Sequence, residues 1–178
     1  AKQCKRWMEF VPDFQMNINL SFVQLKKSDV VKDAMECIDR LGLPHENFVF
    51  EVTESGEIES SIATKNVLKS FKEKNIKLAI DDFGTGYSNP RYVKDMMFGI
   101  IKIDRAFIKN IQNSEYDYML VQYITDMAHS LNLKVCYEGV ETKEEMESVG
   151  SLNPDCIQGY YFGRPSASEV FEKHFINQ

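Results

Sequence analysis

Apolar and polar positions along the chain follow two alternating rhythms. Short β-rich apolar runs occupy residues 15–21, 48–53, 77–83, 99–104, 133–139 and, more weakly, 156–159. Between them, near residues 30–42, 60–74, 90–96, 115–131 and 143–149, apolar residues recur at helical spacing, and a last such stretch near 167–176 closes the chain. Residues 1–10 also read as helix, with Trp7, Met8 and Phe10 as an apolar cluster. Gly42, Asn75 and Asn132 stand where helices end, positions that favour residues able to take left-handed backbone.

Repeated strand–helix alternation predicts parallel strands joined by helical crossovers. Two architectures fit, a doubly wound open sheet and a (β/α) barrel. The polar residues at the strand ends separate them. The first run carries Asn19, the second Glu51 and Glu54, the third Asp81 and Asp82. The fourth ends in Lys102 and Asp104, the fifth in Glu138 and the sixth in Gln158. An open sheet gathers its polar site at one switch point. A barrel draws on the C-terminal end of every strand. The expected fold is therefore α/β, a TIM-like (β/α) barrel. A full barrel has eight strands in about 250 residues. Six runs predict a partial barrel lacking about the first two βα units. The chain opens within a helix and without methionine. Residues 1–178 are expected to form a single domain, incomplete at its N-terminus.

Composition narrows the function classes. The chain has 178 residues, 43% hydrophobic and 27% charged, enough for one sizeable core and with no linker-like tract. Its net charge of −6 argues against a nucleic-acid polymer as partner. No apolar run approaches the roughly 18 residues of a membrane span, so no membrane contact is expected from this segment. Cys4, Cys37, Cys136 and Cys156 form no CxxC pair and read as buried free thiols of a reducing cytoplasm. His45, His129 and His174 lie too far apart for a ligand motif.

Candidate chemistry lies in the acids. If Glu51, Asp81, Asp82 and Glu138 share one barrel mouth, their negative charges converge and Lys102 offsets only one. Two unit charges about 4 Å apart repel by about 1 kcal/mol in water and several-fold more at low dielectric. Protonation or bound cations must relieve the crowd. Oxygen ligands from Glu, Asp and the Asn19 amide suit Mg²⁺ or Mn²⁺ rather than zinc. Two such ions about 3.5–4 Å apart clamp a phosphodiester for in-line attack. Each residue also has a plainer reading. A strand-end Asn or Glu can be a cap, and Asp81-Asp82 before Gly84 can be turn chemistry. Lys102 within an apolar strand needs a partner in any reading. Tyr87, Tyr160, Tyr161 and Phe162 could stack on a base, although core or loop packing is the expected role for most.

Taken in order, these motifs resemble the EAL family of cyclic di-GMP phosphodiesterases across nearly the whole chain. Asn17-Ile18-Asn19-Leu20-Ser21 resembles the family's Asn-Leu-Ser strand, Glu51-Val52-Thr53-Glu54 its E-x-T-E motif, and Asp81 to Ser88 its DDFGTGYS signature. Lys102-Ile103-Asp104 is similar to KID, Glu138-Gly139-Val140-Glu141 to EGVE, and Gln158 to Pro165 to QGY-x-F-G-x-P. The resemblance implies metal ligation by Asn19, Glu51, Asp81, Asp82 and Glu138. It implies catalytic roles for Lys102 and Gln158, which place the attacking water, and for Glu138. Glu54 would anchor a regulatory loop formed by Phe83, Gly84, Thr85, Gly86, Tyr87 and Ser88. The Glu-Ala-Leu strand itself is absent, and Ser88-Asn89-Pro90 replaces the more usual Ser-Ser-Leu.

The implied function is metal-dependent hydrolysis of cyclic di-GMP to linear pGpG in bacterial second-messenger signalling, with two Mg²⁺ or Mn²⁺ ions. It implies a cytoplasmic protein, a homodimer and a linked GGDEF or sensory domain. Residues 1–178 alone are expected to be inactive, because one metal ligand falls outside them. The alternative is a non-catalytic cyclic di-GMP receptor. A third reading, a metal-dependent barrel enzyme abstracting a proton beside a carboxylate, leaves the DDFGTGYS and QGYYFGRP stretches without a purpose.

Overall fold

The computed structural model describes residues 2–25, 28–53, 62–85 and 97–176. Six strands form one parallel sheet: β1 (Met16–Asn19), β2 (Phe48–Thr53), β3 (Lys77–Phe83), β4 (Ile100–Ile103), β5 (Lys134–Tyr137) and β6 (Cys156–Ile157). Each strand pairs with its successor in the chain, so the order in space is the order in sequence. A doubly wound sheet reverses its order at a switch point. This one adds strands in a single direction, as the staves of a barrel do, and among the described residues β1 and β6 are its outermost strands. The result is a partial TIM-like barrel.

Among the described residues the α-helices are α1 (Lys2–Met8), α2 (Phe22–Leu25), α3 (Ser28–Leu41), α4 (Ile62–Glu73), α5 (Arg105–Ile108), α6 (Glu115–Ser130), α7 (Lys143–Gly150) and α8 (Ser168–Phe171). The helix expected near residues 90–96 lies outside the described residues. Gly42, Asn75 and Asn132 have φ of 65°, 59° and 57°, the left-handed backbone their positions demand. Side chains fix helix starts as well. Ser114 accepts from the Asp117 amide at the head of α6, and Asp104 from the Ala106 amide at the head of α5.

Strand alternation sends each run's side chains to two faces. One face carries Phe50, Val52, Leu78, Ile80, Ile101, Ile103, Val135 and Tyr137, all buried. These join Ile38 of α3, Leu68 and Phe71 of α4, Val121 and Ala128 of α6, and Val149 of α7 in one core. The Phe50 and Phe71 rings lie 4.9 Å apart. Burying each such large side chain contributes about 1.5–3 kcal/mol. The other face, by the same register, carries Asn17, Asn19, Glu51, Asp81, Lys102 and Cys136. Chemistry and core thus occupy opposite sides of one sheet.

The first and last helical segments meet. Glu172, at the start of the π turn Glu172–Ile176 that continues α8, accepts hydrogen bonds from Gln3, Arg6 and the Trp7 indole. The Trp7 ring packs on Phe14 and Phe171. Phe10, expected to join Trp7, is instead 59% exposed, because α1 ends at Met8 and the chain turns away. All four cysteines are free and Cys4 and Cys136 are buried, as expected, whereas Cys37 is only partly buried and Cys156 is exposed. His45 and His129 pair with Asp39 and Asp155.

Glu145 is a buried carboxylate with a structural task. It completes a capping box with Thr142 and accepts from the backbone amides of Asn110, Glu141 and Thr142. Burial alone would raise its pKa, but these bonds outweigh burial and hold it below the ordinary glutamate value. A depressed folded value means the stabilisation is present above the ordinary glutamate pKa. It is lost as pH falls through the folded one. Glu145→Ala should cost about 1–3 kcal/mol at neutral pH, since buried amides lose their acceptor. In denaturant titrations at successively lower pH, the gap to wild type should narrow below the ordinary glutamate range.

Candidate functional site

Lys102 is the hub of the polar face. Its Nζ lies 2.8 Å from Glu51 Oε1, 3.0 Å from Asp81 Oδ1 and 2.6 Å from Glu138 Oε1, with its side chain 4% exposed. Strands β2, β3 and β4, and the residue just past β5, therefore converge on one ammonium group. Burial disfavours that charge. Hydrogen bonds to Glu138 and Glu51, and the Glu138 charge, outweigh burial and raise the lysine pKa above its ordinary value. Glu138 moves the other way for an acid: burial pushes it up to about 7, against the pull of Lys102 and with the Asp81 charge adding to the rise. One cation among several acids leaves the cluster short of positive charge.

Alternation alone should send Asp81 and Asp82 to opposite faces. The backbone prevents this. Ile80 pairs with Ile101 but Phe83 pairs with Ile103, so β3 holds one residue more than β4 over that span. Asp82 takes φ of 56°, left-handed backbone that an aspartate tolerates better than most residues. The bulge turns both carboxylates toward the mouth. Ligand atoms of Asp81, Asp82 and Glu138 all lie within 4.8 Å of one another. Burial, then the charges of Asp81 and Asp104, raise the Asp82 pKa. Although Asp81 Oδ1 is close to Lys102, the approach lacks hydrogen-bond geometry, and this buried oxygen has no donor. Such an atom fits a cation site: hard oxygens, a charge deficit and an acceptor held open.

The remaining sequence candidates divide. Gln158, just past β6, donates from its amide to Glu138 Oε1. Asn19 is the register partner of Glu51 and is exposed at the strand end. Phe83 is buried, and Gly84, at φ of 101°, backs onto Phe107 so closely that a Cβ would lie 2.7 Å from Phe107 Cε2. Thr85 donates from its hydroxyl to the Asp82 carbonyl. Glu54, Gly86, Tyr87 and Ser88 lie outside the described residues. Tyr160, Tyr161 and Phe162 are 43–49% exposed rather than packed in the core. Tyr160 and Phe162 line a cavity of about 730 Å³ beside Glu138 and Gln158, with Arg105 and Arg164 on its wall.

Sequence reasoning gave no site role to three residues here. Asn17, not Asn19, hydrogen-bonds Glu51, donating to Oε1 at 2.7 Å. The two asparagines share a face at i and i+2, and that spacing was the available signal. Arg105 pairs with Glu141 at 3.0 Å, and Asp104 caps α5 while touching Asp82.

Gly159 is required by a close approach. A Cβ there would lie 2.1 Å from the Val140 carbonyl oxygen and 2.4 Å from its nitrogen, both backbone atoms. Gly159→Ala must push apart the segments that carry Glu138 and Gln158. We expect a loss of about 1–3 kcal/mol in denaturant unfolding, the usual cost of overpacking.

Known proteins resemble this chain in sequence and in fold. The family model described as EAL domain matches residues 1–165. The signaling protein YkoW of Bacillus subtilis is 34% identical over 178 residues, covering 100% of this chain and 22% of that protein. Among solved structures, the PaMucR phosphodiesterase in complex with c-di-GMP is 32% identical with a TM-score of 0.88, covering 96% of this chain and 69% of that one. BlrP1 of Klebsiella pneumoniae, in a manganese and cyclic di-GMP complex, is 30% identical with a TM-score of 0.83, covering 92% and 43%. The chain spans about a fifth to a quarter of the length of the first curated relatives it matches.

Proposed function

This chain belongs to the EAL domain family, and from that footing we propose that its site serves metal-dependent hydrolysis of cyclic di-GMP to linear pGpG. One observation carries the reading: Asp81, Asp82 and Glu138 bring ligand atoms within 4.8 Å of one another, with a buried Asp81 oxygen that lacks a donor. Asn19, Glu51, Asp81, Asp82 and Glu138 would hold two divalent ions, Mg²⁺ or Mn²⁺ by donor hardness. Bound there, the ions would supply Lewis acidity, lowering the pKa of water and screening charge on the phosphoryl oxygens.

The chain's own residues place and move the reactants. The Lys102 ammonium and the Gln158 amide both reach Glu138, and between them they orient the water. Its oxygen bonds to phosphorus as the bond to the leaving ribose oxygen breaks; one water proton ends on that oxygen and the other stays with the new phosphate group. Lys102 remains cationic throughout and stabilises charge on the transition state. The cavity beside Glu138 offers room for the nucleotide, and the guanidinium groups of Arg105 and Arg164 suit an anionic ligand.

Membership also supports a homodimer, a cytoplasmic location and a linked GGDEF or sensory domain in the native protein. No helix among the described residues is long and apolar enough to cross a membrane. The test is conversion of cyclic di-GMP to pGpG by the full-length protein with Mn²⁺, with Mg²⁺ and with chelator. Turnover should need the metal. Tight nucleotide binding with metal present and no product would instead favour a receptor.

A further inference from the structure

Two cysteines that the proposed hydrolysis does not use face each other on the sheet's polar side. Cys136 of β5 and Cys156 of β6 are Cα partners in the parallel ladder, so both side chains leave the same face of neighbouring strands. A slip of one residue would put them on opposite faces. Both are free thiols, Cys136 buried and Cys156 exposed. Adjacent strands run about 4.7–4.9 Å apart, inside the window of about 4.4–6.8 Å that a disulfide needs between its Cα atoms. Cys4 and Cys37 lie on α1 and α3. Cys136 also pairs in register with Lys102, and Glu138 and Gln158 stand two residues beyond the two thiols.

We propose that Cys136 and Cys156 form a reversible intramolecular disulfide when the protein meets a hydroperoxide such as hydrogen peroxide. Exposed Cys156 attacks first, as thiolate. Its sulfur bonds to one peroxide oxygen, the O–O bond breaks, and the departing hydroxide takes up a proton to become water. Cys156 is left as a sulfenic acid. The Cys136 sulfur then bonds to the Cys156 sulfur, the S–O bond breaks and a second water leaves. The two thiols together lose two electrons and the peroxide gains two. A small dithiol reverses the link by exchange. The product pins β6 to β5 directly below the Glu138–Gln158 contact. This proposal concerns thiol chemistry and does not depend on the metal or on hydrolysis.

Peroxide treatment of the full chain, followed by alkylation in denaturant and peptide mapping by mass spectrometry, tests it. Alkylatable thiols should fall from four to two. A linked peptide pair should contain Cys136 and Cys156 and weigh less by two hydrogens, and a dithiol should restore all four thiols. Cys136→Ser should lose the intramolecular link and leave Cys156 to oxidise further. The wild-type map decides even if that variant folds poorly. Full alkylation of both cysteines after peroxide would overturn the proposal. So would a link that joins other cysteines, or Cys156 sulfinic acid beside an intact Cys136 thiol.

Discussion

Replacing Lys102 with methionine should lower the stability of the cation-free protein by about 3–5 kcal/mol, the usual result of stripping one partner from a buried ionic cluster. The methionine keeps most of the aliphatic stem, so lost packing is small. What goes is the ammonium that touches Glu51, Asp81 and Glu138 at 2.6–3.0 Å. Those acids then face one another at low exposure. Some will take up protons, and Glu138, already pushed up to about 7, is the first expected to do so. Denaturant unfolding with and without Mn²⁺ measures the effect. Added divalent cation should restore part of the loss, since positive charge is what the variant lacks. An equal deficit with and without cation would mean that Lys102 acts through packing alone.

Asp81→Asn is the second large expectation. The substitution preserves shape and removes one charge from the carboxylate that lies 3.0 Å from Lys102 and offers a buried oxygen without a donor. Residues that merely support metal ligands typically cost about 10–100-fold in affinity or activity when changed. A ligand at the centre of the group should cost at least about 100-fold in hydrolysis by the full-length protein. A second readout separates this from misfolding. Wild-type protein at divalent cation about 100 times its Kd should gain about 2.7 kcal/mol. The variant should gain far less while its cation-free stability stays level or rises, because like-charge crowding is relieved. Undiminished turnover in Asp81→Asn would refute the ligand assignment.

The architecture was readable because barrel strands repeat a simple grammar. Every strand tip carried its polar residue in the sequence, and the consecutive strand order follows when right-handed crossovers keep their helices on one face of the sheet. Gly42, Asn75 and Asn132 marked helix ends correctly because left-handed backbone restricts residue choice so strongly. The site was legible as a set of residues and much less as a geometry. Nothing in period-two alternation brings Asp82 alongside Asp81; that needs the extra residue in β3 and the φ of 56°. That Asn17 hydrogen-bonds Glu51 turns on side-chain direction along one strand, which spacing leaves open. The Cys136–Cys156 pairing stayed hidden for a different reason. It is fixed by the register of β5 against β6, and cysteine spacing along the chain carries no trace of it.

The consecutive order of strands has a consequence for how the chain acquires its shape during synthesis. Each new strand finds its partner in the one made just before, so assembly can follow the ribosome without waiting for a distant segment. The charges emerge in an awkward sequence. Glu51, Asp81 and Asp82 precede Lys102, and at about 5–20 residues per second the twenty residues from Asp82 to Lys102 take about 1–4 s. For that interval the acids of β2 and β3 lack the lysine that pairs with them in the folded protein. Docking of β4 both extends the sheet and eases the repulsion. The arrival of one lysine is therefore the moment at which the growing half-barrel becomes electrostatically worth keeping.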